Sequence, residues 1–300
     1  MARHARATPP AAEGATLVEH SKIKITSLNL PQQLTLEGLL DYLEEHSGRR
    51  LIAQPLTDSQ GLELSGVRLS TADTDYVFYP TATSEPHREH ILLRGFIQTA
   101  LLGGSKGISS SDLETLMPDL GHDQVGPVLP VDPATSDRTL EAEVLATLVG
   151  ERLVWPSLPQ LPTMDGVLEE LKPLRESLAA ASGRASFLGY FDTASSRLYR
   201  TVIEISDAAL ALRPYSSPGV DRLARTAARR AGRSAEMADA FVEAACLEAA
   251  RRARFVRPAG FATAAGPAGA QDYATEVSRL RRVAALHQSR ELHALVDSAA

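Results

Sequence analysis

Thr74-Asp75-Tyr76-Val77-Phe78-Tyr79 and, starting eight residues further on, His87-Arg88-Glu89-His90-Ile91-Leu92-Leu93-Arg94-Gly95-Phe96-Ile97-Gln98 decide how this chain is read. The aromatic and β-branched run at 76–79 reads as a strand, after two others at 51–56 and 63–69 set off by turn residues. The second stretch reads as a helix, with Pro86 suited to its first turn. On that helix His87, His90, Arg94 and Gln98 stand at i, i+3, i+7 and i+11 and project from one face. Two histidines on a shared face raise the question of a metal, but no cysteine and no aspartate lies nearby to complete a ligand set.

This strand and helix resemble the actinobacterial branch of the ImmA/IrrE-like zinc metallopeptidases, in which a strand reading roughly TDYIFY precedes a helix reading roughly HQEHIxLHExxH. The HExxH motif sets two histidines four residues apart on one helical face around a zinc ion, and its glutamate activates the metal-bound water. The resemblance places Arg94 at the first ligand, and a guanidinium has no lone pair for a cation. Gly95 falls on the general base and has no side chain. Gln98 falls on the second ligand with a neutral amide, a poor zinc ligand beside imidazole. No catalytic residue, metal or cofactor is therefore expected. If the scaffold is retained, Arg94→His, Gly95→Glu and Gln98→His together are expected to raise zinc affinity. Related sequences with an intact motif also carry the upstream pair, so His87 and His90 are read as supporting residues rather than replacement ligands.

The family's third ligand is a glutamate on a later helix, and Glu141-Ala142-Glu143-Val144-Leu145-Ala146 resembles that pattern with Glu141 at the ligand position. Two readings of Glu141 stand side by side: a bidentate salt bridge with Arg94 where the metal was, or a residue on a solvated helix face. The implied fold is α+β, a small zincin-like domain over 34–154 with a short sheet packed on helices, followed by an all-α domain. Residues 1–22 show no apolar periodicity and read as a disordered tail. Thr35 is a candidate cap for a helix beginning at Leu36, and further helices are expected from about 109 and over 137–153. Three prolines between 155 and 163, beside Trp155, mark a linker.

Beyond the linker the pattern is helical, at about 164–181, 195–212, 217–231, 234–255 and 271–297. Arg197-Leu198-Tyr199-Arg200-Thr201-Val202-Ile203-Glu204-Ile205-Ser206-Asp207 and the run on to Tyr215 resemble a second actinobacterial module, of unknown role, otherwise found as the cytoplasmic tail of multi-span membrane proteins. With Phe241 to Ala250 the resemblance covers 195–258. Leu198, Val202, Ile205, Ala209 and Leu212 read as its core stripe, and Tyr199, Arg200, Glu204 and Arg213 as a solvated face with i,i+4 pairs. A Gly/Ala-rich stretch at 260–270 reads as a tether to a last amphipathic helix, 271–297. Its stripe Val277, Leu280, Val283 and Leu286 is a candidate for docking or self-association.

Composition sets the outer bounds. Three hundred residues, 44% hydrophobic and 23% charged, describe a folded protein long enough for two cores. A lone Cys246 rules out an intramolecular disulfide and suits a reducing cytoplasm as a small packing residue. No apolar run approaches the ~20 residues of a membrane span, and the first residues lack a signal peptide's apolar core, so a cytoplasmic location is expected. From Arg184 onward there are 17 arginines, no lysine and 12 acids, a balance of +5, which leaves −11 of the net −6 for the residues before it. Such asymmetry fits a nucleic-acid surface, interdomain complementarity or a protein interface.

The leading functional expectation is a non-catalytic cytoplasmic regulatory or protein-interaction protein on a pseudo-metallopeptidase fold. Its partner would be a protein, either a regulator or a second copy, since intact members of the resembled family act on helix-turn-helix repressors. The alternatives are a metal-dependent peptidase with a rebuilt site and a DNA-binding regulator using Arg222, Arg225, Arg229, Arg230 and Arg233. No GxSxG, P-loop, GxGxxG or CxxC pattern is present, and no small-molecule substrate is identifiable.

Overall fold

The computed structural model describes residues 11–30, 34–56, 67–70, 73–102, 129–130, 137–154, 163–184, 186–255 and 272–299. The chain is α+β and mostly helical, and it divides into two compact units. The first comprises Met1–Thr81, Arg88–Pro156 and Phe187–Ser196, and the second Ala82–His87, Ser157–Ser186 and Arg197–Ala300.

The first unit runs α1 (Ala11–Ser27), α2 (Leu36–Ser47), β1 (Arg50–Leu56), β2 (Val67–Ser70), β3 (Thr74–Pro80), α3 (Glu85–Ala100), β4 (Leu129–Pro130) and α4 (Asp137–Val154), with the first turn of α3 counted in the second unit. Thr35 caps α2, its Oγ1 accepting from the Gly38 N–H at 3.1 Å. Gly48, at φ 66, ends the helix in the left-handed region and donates to the Glu44 carbonyl. Glycine enters that region without a Cβ clash, which turns the chain directly into β1.

The strand order is β1-β3-β2-β4, with β1 parallel to β3 and β2 antiparallel to both β3 and β4. Pro55 lies in β1 at the sheet edge, where a missing N–H costs no ladder bond. The expected third strand is longer at both ends, because β1 pairs with it all the way from Arg50 against Thr74 to Leu56 against Pro80, and Asp75 at its start is held by Arg49. The Arg49 Nε donates to Asp75 Oδ2 at 2.7 Å and Nη2 to Oδ1 at 3.0 Å, a charge-assisted fork. Val77 sits beneath α3 in the core, with Leu39, Leu43, Leu92, Phe96 and Leu145.

The expectation of a disordered tail through residue 22 is corrected by α1. Val18, Ser21, Ile25 and Leu28 recur every three or four residues and are buried. Val18 packs with Val144, Tyr190 and Phe191, while Ile25 joins the core under α3. The same contact corrects the domain boundary: Phe187–Ser196, expected within an all-helical stretch, belongs to the first unit because Tyr190 and Phe191 pack there.

The second unit contains α5 (Met164–Ser182), most of α6 (Ala194–Leu212), α7 (Pro218–Arg230), α8 (Ala235–Ala253), α9 (Tyr273–His287) and α10 (Arg290–Ala299). Helix α8 is its centre, packed against α5, α7, α9 and α10. Small side chains at Ala240, Ala244, Ala245 and Ala250 are buried and let neighbouring helices approach closely. One charged group is buried among them. Glu248 is 0% exposed and accepts from Arg251 at 2.7 Å and Arg252 at 2.6 Å, with His287 Nε2 of α9 at 3.4 Å. Burial pushes this carboxyl up, but the hydrogen bonds from Arg251, His287 and Arg252 prevail and hold it well below the usual carboxylate range. Asp272 caps α9, accepting from the Thr275 N–H at 2.8 Å, and that bond lowers its pKa.

The single last helix expected over 271–297 is two, broken at Gln288 and Ser289. Its stripe is core rather than an interaction surface. Val277 is 0% exposed, Leu280 1%, Val283 0% and Leu286 8%, because α9 lays this face on α8 and α5. The linker from 155 to 162, the helix expected from 109 and the 260–270 tether lie outside the described residues.

Leu280→Ala is expected to lower stability by ~2–5 kcal/mol, the range for deleting a buried leucine side chain. Urea denaturation measures it. Leu280→Asp with Leu286→Asp is expected to abolish the cooperative melt, whereas a folded protein of smaller molar mass would return the stripe to an interface.

Candidate functional site

Every residue of α3 from His90 to Gln98 is buried. Ile91, Leu92, Leu93, Phe96 and Ile97 explain most of that, but His90, Arg94 and Gln98 form a polar stripe that hydration cannot satisfy. The partner of His90 and Arg94 comes from α4. Arg94 Nη1 donates to Glu143 Oε1 at 2.6 Å, and His90 Nε2 lies 3.2 Å from Glu143 Oε2. Glu143 is itself 2% exposed, so one carboxylate receives both an arginine and a histidine away from water. Gln98 is 7% exposed, and its Oε1 has no hydrogen-bond partner among the described residues.

The bridge to Arg94 is therefore made by Glu143, not by Glu141. Glu141 accepts from Lys24 of α1 at 3.0 Å and keeps 28% side-chain exposure. The two glutamates are two residues apart on α4, so they point about 200° apart around the axis, and only Glu143 faces α3. The residues at the positions resembling HExxH do not fit zinc. The guanidinium of Arg94 occupies the carboxylate, and among the described residues no group of three or more His, Cys, Asp or Glu is placed to hold a metal ion.

Gly95 adds a steric reason. A Cβ built there would lie 2.6 Å from Val77 Cγ1 and 2.8 Å from Val77 Cγ2, nearer than real Cβ atoms come. Helix α3 thus rests on β3 at this glycine. The Arg94→His, Gly95→Glu, Gln98→His restoration meets this obstacle at position 95 and needs a smaller residue at 77 as well.

His87, expected beside His90, belongs to the second unit and serves another carboxylate. Its Nε2 is 3.1 Å from Asp207 Oδ1 and its Nδ1 2.5 Å from Thr83 Oγ1. Asp207 is one member of a buried cluster on α6. Arg200 Nε reaches Glu204 Oε1 at 3.4 Å and Arg200 Nη2 reaches Asp207 Oδ2 at 4.0 Å. Arg175 of α5 lies 3.3 Å from Glu204, which also accepts from the Ser186 hydroxyl at 2.9 Å. The expectation of a solvated face here is corrected: Arg200 is 1% exposed, Tyr199 2% and Glu204 8%. Sequence spacing had found the Arg200 to Glu204 pair but not its depth. Asp207 and Arg175 were missed altogether, although for Asp207 a signal was available, since Arg200, Glu204 and Asp207 stand at i, i+4 and i+7 on one face of the helix.

Residues 166–289 are similar to a family of unknown function (DUF6545). That stretch takes in the α6 cluster and α8 with its packed neighbours through α9, and it covers less than half of the chain. No curated protein and no solved structure matches.

Two further candidates resolve on geometry. Cys246 of α8 is a packing residue whose burial pushes its thiol up to about 12, so the thiolate needed for nucleophilic attack is scarce near neutrality. Of the five arginines considered for nucleic acid, Arg225 forks onto Asp221 and Arg233 pairs with Glu291. Arg222, Arg229 and Arg230 are exposed on α7.

Arg94→Met is expected to cost ~3–5 kcal/mol by stranding Glu143, with Arg94→Met/Glu143→Leu recovering part of the loss, since removing both charges leaves neither unpaired. Equal loss in single and double variants would remove the pair from the account. Gly95→Ala is expected to cost ~1–3 kcal/mol from overpacking and to be partly rescued by Val77→Ala. Denaturant titrations of both cycles give the coupling.

Proposed function

We propose that the chain is a non-catalytic regulatory or protein-interaction protein that keeps the scaffold of an ImmA/IrrE-like peptidase and has lost its catalyst. One observation carries this reading: where the resemblance puts a zinc ligand, Arg94 is buried and bound to Glu143 at 2.6 Å. A guanidinium in that position repels a cation, and the carboxylate that a metal would need already serves Arg94 and His90. Cytoplasmic residence and a helix-turn-helix regulator as protein partner belong to the same proposal. Among the described residues no helix is long and apolar enough to cross a membrane.

The test is zinc content of the freshly purified full chain by elemental mass spectrometry, with casein as a general peptide substrate. The expected result is substoichiometric zinc and no hydrolysis. Stoichiometric zinc that disappears in Glu143→Ala would overturn the reading in favour of a peptidase with a rebuilt site.

A second reading, DNA binding, draws on Arg222, Arg229 and Arg230, which are exposed on α7. Phosphate contacts of this kind make affinity fall steeply with salt. A duplex bound in a salt-dependent way by the parent, and lost in the triple alanine variant, would favour it over the first.

A further inference from the structure

The second unit contains a cavity of about 370 Å³ bounded by α6, α7, α8, α9 and the segment 82–84. That volume falls in the range of ~300–1,000 Å³ usual for small-molecule pockets. Much of its wall is apolar, supplied by Leu210 and Leu212 of α6 and by Val242 and Leu247 of α8. The charges along it balance, with Arg213, Arg225 and Arg279 set against Asp221, Asp239 and Glu243. They are also committed. Arg225 forks onto Asp221 at 2.9 and 3.1 Å, and Arg279 forks onto Glu276 at 2.8 and 2.7 Å while also binding Glu243. Arg213 is engaged with the Ala82 carbonyl at 3.4 Å, and Asp239 stands exposed to water within the field of Arg225. An ion entering this chamber would give up its hydration for a wall whose charges are already compensated, so the chamber favours an uncharged ligand.

The buried polar group that a ligand could serve is a hydroxyl. Ser84 lines the cavity and is 6% exposed, and its Oγ has no hydrogen-bond partner among the described residues. It stands immediately before α3, where a serine hydroxyl ordinarily accepts from the N–H of the second or third helical residue. The second is Pro86, which has no N–H, and the Ser84 Oγ does not accept from the third. Ser206, the other buried serine along the wall, donates to the Val202 carbonyl at 3.0 Å. Cys246 adds no charge, since burial pushes its thiol up to about 12. Leaving a buried hydroxyl unbonded costs free energy that a ligand group bonded to it recovers. An alcohol meets Ser84 in either sense, because a serine hydroxyl both donates and accepts.

We infer that this cavity binds an uncharged apolar alcohol, its hydrocarbon lying among Leu210, Leu212, Val242 and Leu247 and its hydroxyl bonded to that of Ser84. The site lies wholly in the second unit and owes nothing to the state of the zinc position, so the zinc assay and this proposal stand or fall separately.

The experiment titrates the full-length chain calorimetrically with phenylbutanol, with phenylbutyrate and phenylbutylamine as its anionic and cationic counterparts, and with butylbenzene, which lacks the hydroxyl. Phenylbutanol is expected to bind saturably at a single site, about tenfold tighter than either charged counterpart. Ser84→Ala should weaken phenylbutanol about fivefold, the worth of one net hydrogen bond, and leave butylbenzene unweakened. Leu210→Trp should fill the chamber and abolish the binding of both. Circular dichroism establishes that each variant is folded, and should Leu210→Trp fail to fold, Ser84→Ala decides. Absence of saturable phenylbutanol binding would overturn the proposal. So would phenylbutyrate or phenylbutylamine binding as tightly as phenylbutanol, a Ser84→Ala variant that weakens both neutral probes equally or neither, or binding that survives in a folded Leu210→Trp.

Discussion

Arg94 and Glu143 put two opposite charges into the interior of the first unit, one on α3 and one on α4, each about as far from water as Phe96 beside them. Desolvating such ions costs several kcal/mol apiece, which attraction at 2.6 Å offsets only while the geometry is kept. A small rotation of α4 would break the bond and leave a bare carboxylate in an apolar core. The pair therefore penalises other registers of α3 on α4 more than it adds to overall stability. His90 on the second carboxylate oxygen tightens that restriction, because both oxygens of Glu143 are engaged from the same helix.

The second unit meets the same constraint by a different arrangement. Glu248 is buried in the central helix α8, and arginines from its own last turns, Arg251 and Arg252, fold back on it while His287 and His293 approach from α9 and α10. On α6, Arg200, Glu204 and Asp207 form a second knot, supplied from α5 by Arg175 and from the 82–87 segment by His87. Helices packed through alanine contacts slide easily, since small apolar faces offer little to distinguish one register from the next. Buried ion pairs at fixed positions remove that freedom.

How much of this was legible depended on whether the signal was local. The strand at β3, the helix at α3, the Thr35 cap and the bounds of α5, α6, α7 and α8 follow from periodicity and end signals over a few residues. Helix α1 did not, because Ser21 interrupts an already short stripe between Val18 and Ile25, and an exposed Ile23 blurs its edge. The identity of the partner of Arg94 also escaped. Glu141 and Glu143 share one short motif, and choosing between them requires the rotation of α4 about its axis, which Val144 and Leu145 determine by their burial. The depth of Arg200 and Glu204 escaped for a related reason: an i,i+4 ion pair has the same spelling on a wet face as in a dry one. Likewise the α9 stripe declared an apolar face correctly without naming what covers it.

The contact between Gly95 and the methyl groups of Val77 joins a helix and a strand 18 positions apart in the chain. Neither position is free to vary by itself. A side chain at 95 requires a vacancy at 77, and a larger residue at 77 would press on backbone that has no side chain to move aside. The two sites form one heritable character, passed on as a matched pair, and the route by which either changes runs through a less stable intermediate.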